Sequence, residues 1–101
     1  MERHLRFTPT AAAQLDALKG KPVYAQVLKT LGFLELNPKH PSLNTHEFTS
    51  LRGINGEMVY EAYAQNNTPG AYRVFWQYGP DELKGKKRIA VITIIAITRH
   101  P

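Results

Sequence analysis

The sequence predicts an α+β fold of order β-α-α-β-β-β, with a curved antiparallel sheet and an α-helical hairpin packed on one of its faces. Three strand-like runs of apolar and aromatic residues lie in the second half of the chain, at residues 57–64, 71–78 and 89–97. Two runs with the 3.6-residue spacing of helices precede them, at residues 9–19 and 22–36.

The first strand and the first helix are indicated by the residues around their junction. Leu5 and Phe7 alternate with polar neighbours, which predicts a short strand over residues 2–7. Thr8 can cap the helix with its hydroxyl, and Pro9 suits the first helical position because its missing N–H would be unpaired there.

Glycine and proline bound the second helix and the connections. Gly20 ends the first helix, Pro22 begins the second, and Asn37-Pro38 stops it. The short link between the helices predicts an antiparallel pair. An irregular loop is expected over residues 37–50 and a polar turn over residues 79–87.

Alternation of side chains assigns the two faces of the sheet. The side chains expected to meet the helices are Met58, Tyr60, Ala62 and Ala64 on one strand and Tyr72, Val74, Trp76 and Tyr78 on the next. The other face is expected to be open, and it carries Val59, Glu61, Tyr63, Ala71, Arg73, Phe75 and Gln77. Pro69-Gly70 predicts a type II turn between these strands.

Length and composition predict one domain, residues 1–101, in a soluble cytoplasmic protein. The chain has no cysteine, which excludes disulfides and thiolate metal sites and suits a reducing compartment. Its longest apolar run, residues 89–97, is too short for a membrane helix, which needs about 20 residues. No signal-peptide core follows the amino terminus, so no membrane partner is expected.

The chain is basic, with 13 lysines and arginines against 8 acidic residues, a net charge of +5. Such a charge attracts polyanions, namely nucleic acid, the ribosome or an acidic protein. The alternative is a basic surface that serves solubility only.

Three segments carry a resemblance to a known family. They are Leu51-Arg52-Gly53, the Ala-Tyr-Arg-Val-Phe-Trp run at residues 71–76, and the Ile-Ala-Ile-Thr-Arg-His run at residues 95–100. In this order and at this chain length, they resemble the RelE/ParE superfamily of toxins from type II toxin–antitoxin systems, with the RelE/YoeB-like branch favoured.

The resemblance implies a toxin that is neutralised by an antitoxin with an acidic or amphipathic segment. RelE-like toxins are endoribonucleases that cleave mRNA on the ribosome, inhibiting translation, and they use no metal or other cofactor. ParE-like toxins inhibit DNA gyrase without being nucleases. A third alternative is a degenerate member that only binds its antitoxin.

Metal-free RNA cleavage needs a base, a cation beside the phosphate and an acid. Arg73 is the candidate cation, because its planar fork suits phosphate oxygens; the alternative is a solvated ion pair with Glu61. His100 matches a catalytic histidine of YoeB-like toxins and is the candidate acid or base, unless it has no catalytic role. Arg99 is a second phosphate contact or a strand-end charge. Glu61 is a further candidate base, and Tyr63 can stack on an RNA base.

RelE carries lysines on the strand that corresponds to residues 57–64, and this chain has no lysine there. The resemblance therefore leaves the catalytic base unassigned. The expected RNA contacts are Lys39, Arg52, Lys84, Lys86, Lys87 and Arg88, with ordinary surface charge as the alternative. His40 and His46, with Glu47, are too few and too loosely spaced to predict a metal site, and two loop histidines are more often exposed.

Overall fold

The computed structural model of the protein describes residues 2–66 and 68–99. The first half contains strand β1 (His4–Phe7), helices α1 (Pro9–Ala17) and α2 (Val23–Leu36), and a 3₁₀ turn at Pro41–Leu43. The second half contains β2 (His46–Arg52), β3 (Met58–Tyr63), β4 (Tyr72–Tyr78), β5 (Glu82–Lys84), β6 (Lys87–Ile89) and β7 (Val91–Arg99). The predicted α+β class and both helices are confirmed.

Five strands form one sheet in the order β1-β7-β4-β3-β2. The strands β7, β4, β3 and β2 are antiparallel neighbours, whereas β1 pairs in parallel with β7. The predicted antiparallel pairing is confirmed for these four strands, and the parallel β1 makes the five-stranded sheet mixed. A parallel pair is possible here because the connection between β1 and β7 runs through both helices and the other strands rather than through a tight turn.

The expected signals at the ends of the helices are present. The Thr8 hydroxyl accepts a hydrogen bond from the Ala11 amide at 3.1 Å, and Pro9 occupies the first turn of α1. Gly20 follows α1 with a φ of 82°, a conformation that favours glycine. The turn before β4 is also as predicted, because Gly70 has a φ of 65° and the Ala71 amide donates to the Thr68 carbonyl.

Both helices pack their apolar residues on the same face of the sheet. Val27, Leu31 and Leu34 from α2 meet Val74 and Trp76 from β4, all of them buried. The same cluster takes in Ala11 and Leu18 from the first helical segment and Ala62, Ile92, Ile94 and Ile97 from the sheet. Six of the eight side chains predicted to meet the helices lie in this cluster or pack against it, namely Tyr60, Ala62, Ala64, Tyr72, Val74 and Trp76. Tyr78, at the end of β4, is 37% exposed.

A β-bulge accounts for the apolar character of β7 on both of its faces. Phe75 of β4 pairs with Ala96, but Trp76 pairs with Ile94, so Ile95 is an extra residue on β7. The bulge shifts the alternation by one residue and allows Ile92, Ile94 and Ile97 to face the helices together.

Two segments that were expected to be irregular form strands instead. The end of the predicted loop at residues 37–50 belongs to β2, which pairs with β3. The predicted turn at residues 79–87 contains most of the β5–β6 hairpin. The side chains of β2 are mostly exposed at a sheet edge, so no apolar alternation marks the strand in the sequence.

The second face of the sheet is covered in its centre, contrary to the expectation of an open face. Val59, Glu61, Arg73, Phe75 and Gln77 all lie on it and are buried. The ring of Phe48, contributed by β2, contacts the ring of Phe75 edge to face at a centroid distance of 4.8 Å. Side chains of β2, a strand that the sequence did not predict, shield part of this face.

Neither of the two helices, nor any other helix within residues 2–66 and 68–99, has the length and apolar character needed to cross a membrane.

Truncation of Leu34 tests the helix–sheet core. Leu34 is fully buried, so Leu34→Ala should lower the free energy of unfolding by about 2–5 kcal/mol in urea denaturation. Leu36→Ala is the matched control two residues away, because Leu36 is 58% exposed and should change stability by only about 0.5 kcal/mol. Equal losses in the two variants would contradict the assigned helix face.

Candidate functional site

Arg73 lies near the start of β4, on the face of the sheet away from the helices. It pairs with Tyr63 of β3 on one side and with Thr98 of β7 on the other. Only 8% of the residue is exposed, so the side chain predicted to stand on an open face is buried.

The Arg73 guanidinium is held on several sides. Its Nε donates to Glu61 Oε1 at 3.2 Å, and its Nη1 donates to the carbonyls of Gln65 at 2.7 Å and Tyr72 at 3.2 Å. The guanidinium carbon lies 3.7 Å from the centre of the Tyr63 ring, a cation–π contact. Within the described residues, Nη2 is the guanidinium nitrogen that donates no hydrogen bond.

The alternative to a phosphate-binding role for Arg73 was a solvated ion pair with Glu61. This ion pair is present, but it is buried rather than solvated. The two side chains are 9% and 6% exposed. Burying two charges is costly, and their attraction repays that cost only when the remaining polar atoms are also satisfied. The carbonyls of Gln65 and Tyr72 supply that satisfaction, so Arg73 is fixed in one geometry.

His46 joins this group from the edge strand β2, and the sequence analysis did not place it there. It pairs directly with Glu61 in the register of β2 and β3, so the two side chains share a face. Its ring lies 5.5 Å from the ring of Tyr63, tilted by 31°, and the residue is exposed. We call Arg73, Glu61, Tyr63 and His46 the arginine site.

No sequence signal linked His46 to Arg73. The sequence predicts a loop at this histidine, because the residues of β2 lack the apolar alternation of a half-buried strand. Only the pairing of β2 with β3 brings it opposite Glu61, and pairing between distant segments is a property of the folded chain.

Arg99 lies apart from the arginine site. It is opposite Tyr72 in the register of β4 and β7, with its guanidinium carbon 5.6 Å from the Tyr72 ring. Since Tyr72 packs toward the helices and Arg73 points to the other face, the two arginines are on opposite faces of the sheet. Together with Lys21, Arg99 lines a shallow cleft beside the Pro69-Gly70 turn.

The basic residues expected to bind RNA lie away from Arg73. Lys39 lines an open cleft of about 770 Å³ with Arg3 and Tyr78, at the far end of β4. Arg52 ends β2, and its Nη1 lies 3.6 Å from the sulfur of Met58, on the helix side of the sheet. Lys84, Lys86, Lys87 and Arg88 belong to the β5–β6 hairpin and its turn.

The hairpin follows the end of β4, five residues beyond Arg73, which corresponds to about 17 Å along a strand. An ion pair joins the hairpin to β1: Arg6 of β1 donates from Nε to Oε2 of Glu82, in β5, at 3.0 Å. This exposed pair lowers the pKa of the Glu82 carboxyl, chiefly through the hydrogen bond from Arg6. The hairpin therefore presents its cations as a separate basic surface.

His100, predicted as the acid or base, lies outside the described residues. The two loop histidines are held in different surroundings: His40 stacks on Phe33 at 4.2 Å and accepts from the Ser42 amide through Nδ1, whereas His46 faces Tyr63. Across residues 2–66 and 68–99, no three histidine, aspartate or glutamate side chains lie close enough to hold a metal ion.

The geometry of the arginine site combines a buried, fixed cation with an exposed imidazole. The ion pair, the two carbonyls and the ring contact hold Arg73 in place, and among the described residues Nη2 donates no hydrogen bond. His46 is exposed on the edge strand that borders the same face. Preorganised positive charge next to a titratable group is the arrangement that phosphate chemistry requires.

Comparison with solved structures shows the same fold in bacterial and archaeal toxins. A YoeB/ParE toxin from Agrobacterium tumefaciens is 9% identical with a TM-score of 0.65, and the match covers 97% of this chain and 99% of that one. The archaeal RelE–RelB complex from Pyrococcus horikoshii gives 20% identity and a TM-score of 0.62 over 98% and 96% of the two chains. The YoeB dimer from Staphylococcus aureus gives 12% and 0.59, with both chains fully covered.

No protein-family model and no curated protein matches the sequence. The structure therefore defines the fold of this protein, an α+β fold in which two helices cover one face of a mixed five-stranded sheet. It is the fold of the RelE and YoeB toxins named above, and the similarity extends over essentially the whole chain.

The buried ion pair can be tested through stability. Glu61→Ala leaves the Arg73 charge buried without its carboxylate, so it should lower the free energy of unfolding by about 3–5 kcal/mol in urea. Glu35→Ala is the matched control, since Glu35 is exposed on α2 and should cost about 0.5 kcal/mol or less.

A double variant separates a lost charge partner from a lost packing contact. Glu61→Leu combined with Arg73→Met removes both charges and should be less destabilised than Glu61→Ala alone. The Glu61→Leu and Arg73→Met single variants are measured alongside. If the double variant loses as much stability as the two single variants added together, the ion pair is not the source of the effect.

Proposed function

We propose that this protein is the toxin of a type II toxin–antitoxin system and that it is a metal-free endoribonuclease, cleaving mRNA on the ribosome and so inhibiting translation in the cytoplasm. The observation that carries the proposal is the arginine site: a rigid guanidinium with one free edge, beside an exposed imidazole, on the non-helical face of a RelE/YoeB-type fold. The fold supports the toxin class, and the site supports chemistry on a phosphate.

The proposed partners are an antitoxin, the ribosome and mRNA. A RelE from P. horikoshii with this fold was solved as a complex with RelB, which supports an antitoxin for this chain. The net charge of +5 suits an antitoxin with an acidic or amphipathic segment, and it also suits ribosomal RNA. The basic β5–β6 hairpin is the proposed contact to ribosomal RNA, together with Lys39 and Arg52.

Arg73 would stabilise the charge that builds on the phosphate oxygens as the 2′-oxygen attacks phosphorus. Its Nη2 is the atom available for that contact. Glu61 and Tyr63 hold the guanidinium, and this role suits their positions better than direct action on RNA: Glu61 is buried and ion-paired, and one face of Tyr63 is covered by Arg73. A cation held in this way needs no rearrangement during the reaction.

His100 remains a candidate acid for the departing 5′-oxygen, on the strength of the resemblance to YoeB-like toxins. Arg99, on the other face of the sheet, is proposed as a contact to a neighbouring phosphate of the mRNA rather than to the one that reacts.

The ribonuclease proposal is tested by primer extension on mRNA in programmed ribosomes. Wild-type protein should cut within the codon of the ribosomal A site, and Arg73→Lys should lower the single-turnover rate constant at least about 100-fold, because lysine lacks the planar fork. Circular dichroism would establish that Arg73→Lys stays folded, and Lys19→Arg on the exposed surface serves as the matched conservative control.

Absence of cuts with micromolar wild-type protein would overturn the ribonuclease proposal. A DNA supercoiling assay with gyrase, run in parallel, then decides between a ParE-like inhibitor and a protein that only binds its antitoxin. Cuts that persist at the full rate in Arg73→Lys would instead remove Arg73 from the mechanism while leaving the activity in place.

The basic hairpin should affect ribosome binding rather than chemistry. Replacing Lys86, Lys87 and Arg88 by alanine removes three exposed charges, so affinity for ribosomes should fall and its dependence on salt should become shallower. The cleavage rate at saturating ribosomes should stay within about twofold of wild type. Unchanged affinity across a range of salt concentrations would exclude the hairpin as a ribosomal contact.

A further inference from the structure

The arginine site contains one titratable group that is exposed, and no role follows for it from the resemblance. His46 stands on the edge strand β2, directly opposite Glu61. Its ring lies 5.5 Å from the Tyr63 ring, while Arg73 and Glu61 are buried.

We propose that His46 is the base that removes the proton from the ribose 2′-hydroxyl, an assignment that rests on the proposed ribonuclease function. The neutral imidazole takes that proton as the 2′-oxygen forms its bond to phosphorus. The bond from phosphorus to the 5′-oxygen breaks, and the leaving oxygen takes a proton from water or from an acid such as His100. The products are a 2′,3′-cyclic phosphate and a 5′-hydroxyl, and His46 then returns its proton to solvent.

Access is the first argument for His46 over Glu61. The Glu61 side chain is 6% exposed, and Oε1 already accepts a hydrogen bond from Arg73. That carboxylate is therefore already engaged with the guanidinium. His46, in contrast, is exposed at the rim of the same site.

Position is the second argument. Tyr63 lies between the two groups, with Arg73 at 3.7 Å from its ring centre and the His46 ring at 5.5 Å. The proposal places the phosphate at Arg73 and the ribose on the β2 side of Tyr63, where His46 lies. The aromatic ring acts as a fixed spacer between the base and the cation.

The charged groups that face His46 are compatible with this role. Glu61 faces it from β3, and Arg73 stands beyond Tyr63 on β4; the neighbouring Glu47 pairs with Tyr60 and points to the other face of the sheet. The positive charge of Arg73 is paired with the carboxylate of Glu61. Histidine is also the side chain that changes charge between pH 5 and 8, the range in which a base must work.

The test compares His46→Gln with wild type in single-turnover cleavage on programmed ribosomes between pH 5.5 and 8.5. Glutamine keeps a polar side chain of similar reach but does not titrate in this range. The rate constant should fall at least about 100-fold, and the loss of activity toward acidic pH that the proposal expects of wild type should be absent in this variant. His46→Ala should regain part of its rate when imidazole is added to the buffer.

The matched control is His4→Gln. His4 is also exposed on an edge strand, but β1 is four strand spacings from β2, or about 19 Å. This variant should cleave at the wild-type rate with the wild-type pH profile. Affinity for ribosomes and the circular dichroism spectrum should be unchanged in both histidine variants.

Each other result has a distinct meaning. If wild type cleaves and His46→Gln cleaves within twofold of it, the assignment of His46 is wrong and the ribonuclease function stands. If the rate falls but the acidic loss of activity persists, His46 is a positioning residue and not the base, which also overturns the proposal. If wild type does not cleave at all, the proposed function fails and the assignment fails with it.

Discussion

The position of β4 in the middle of the sheet is the constraint on which the rest of the structure depends. Its backbone is paired on both sides, with β3 and with β7, and its side chains are buried on both faces. Val74 and Trp76 fill the core beneath the helices, whereas Arg73 and Gln77 lie on the second face, where they are 8% and 5% exposed. Buried polar groups must then find partners in the protein.

Those partners come from the neighbouring strands, and they account for several residues outside β4. Glu61 of β3 pairs with Arg73, and Glu57 accepts a hydrogen bond of 3.4 Å from Gln77. Gly53 lies next to this pair: a β-carbon at this position would lie 2.4 Å from Gln77 Oε1 and 2.5 Å from Glu57 Oε1, so the ends of both side chains would have to move.

Burial on the second face also divides the arginine site into a fixed part and an accessible part. Arg73, Glu61 and Tyr63 are locked together by an ion pair, two carbonyls and a ring contact, which makes the cation rigid. Of the three strands that carry the site, β2 is the one that lacks a partner strand on its outer side, and the exposed His46 lies there. Rigid charge in the interior and an accessible imidazole at the rim are consequences of the same sheet order, because a central strand is buried and an edge strand is not.

The sequence by itself determined where the helices start and stop to within two residues, the positions of β3 and β4, and most of the side chains of these strands that meet the helices. The last strand was predicted two residues too early, since β7 is Val91–Arg99 and Ile89 belongs to β6. These features are local, since caps, turns and alternation act over a few neighbouring residues, as Thr8, Pro69-Gly70 and Trp76 illustrate. It also singled out Arg73, Glu61 and Tyr63, because residues of equal parity on adjacent strands share a face. Only the tertiary structure decided that β1 runs parallel to β7, that residues 46–52 form a strand, that Arg99 faces away from Arg73 and that His46 lies beside Tyr63. Pairing between distant segments decides each of these, and an exposed edge strand such as β2 leaves no apolar pattern from which its partner could be inferred.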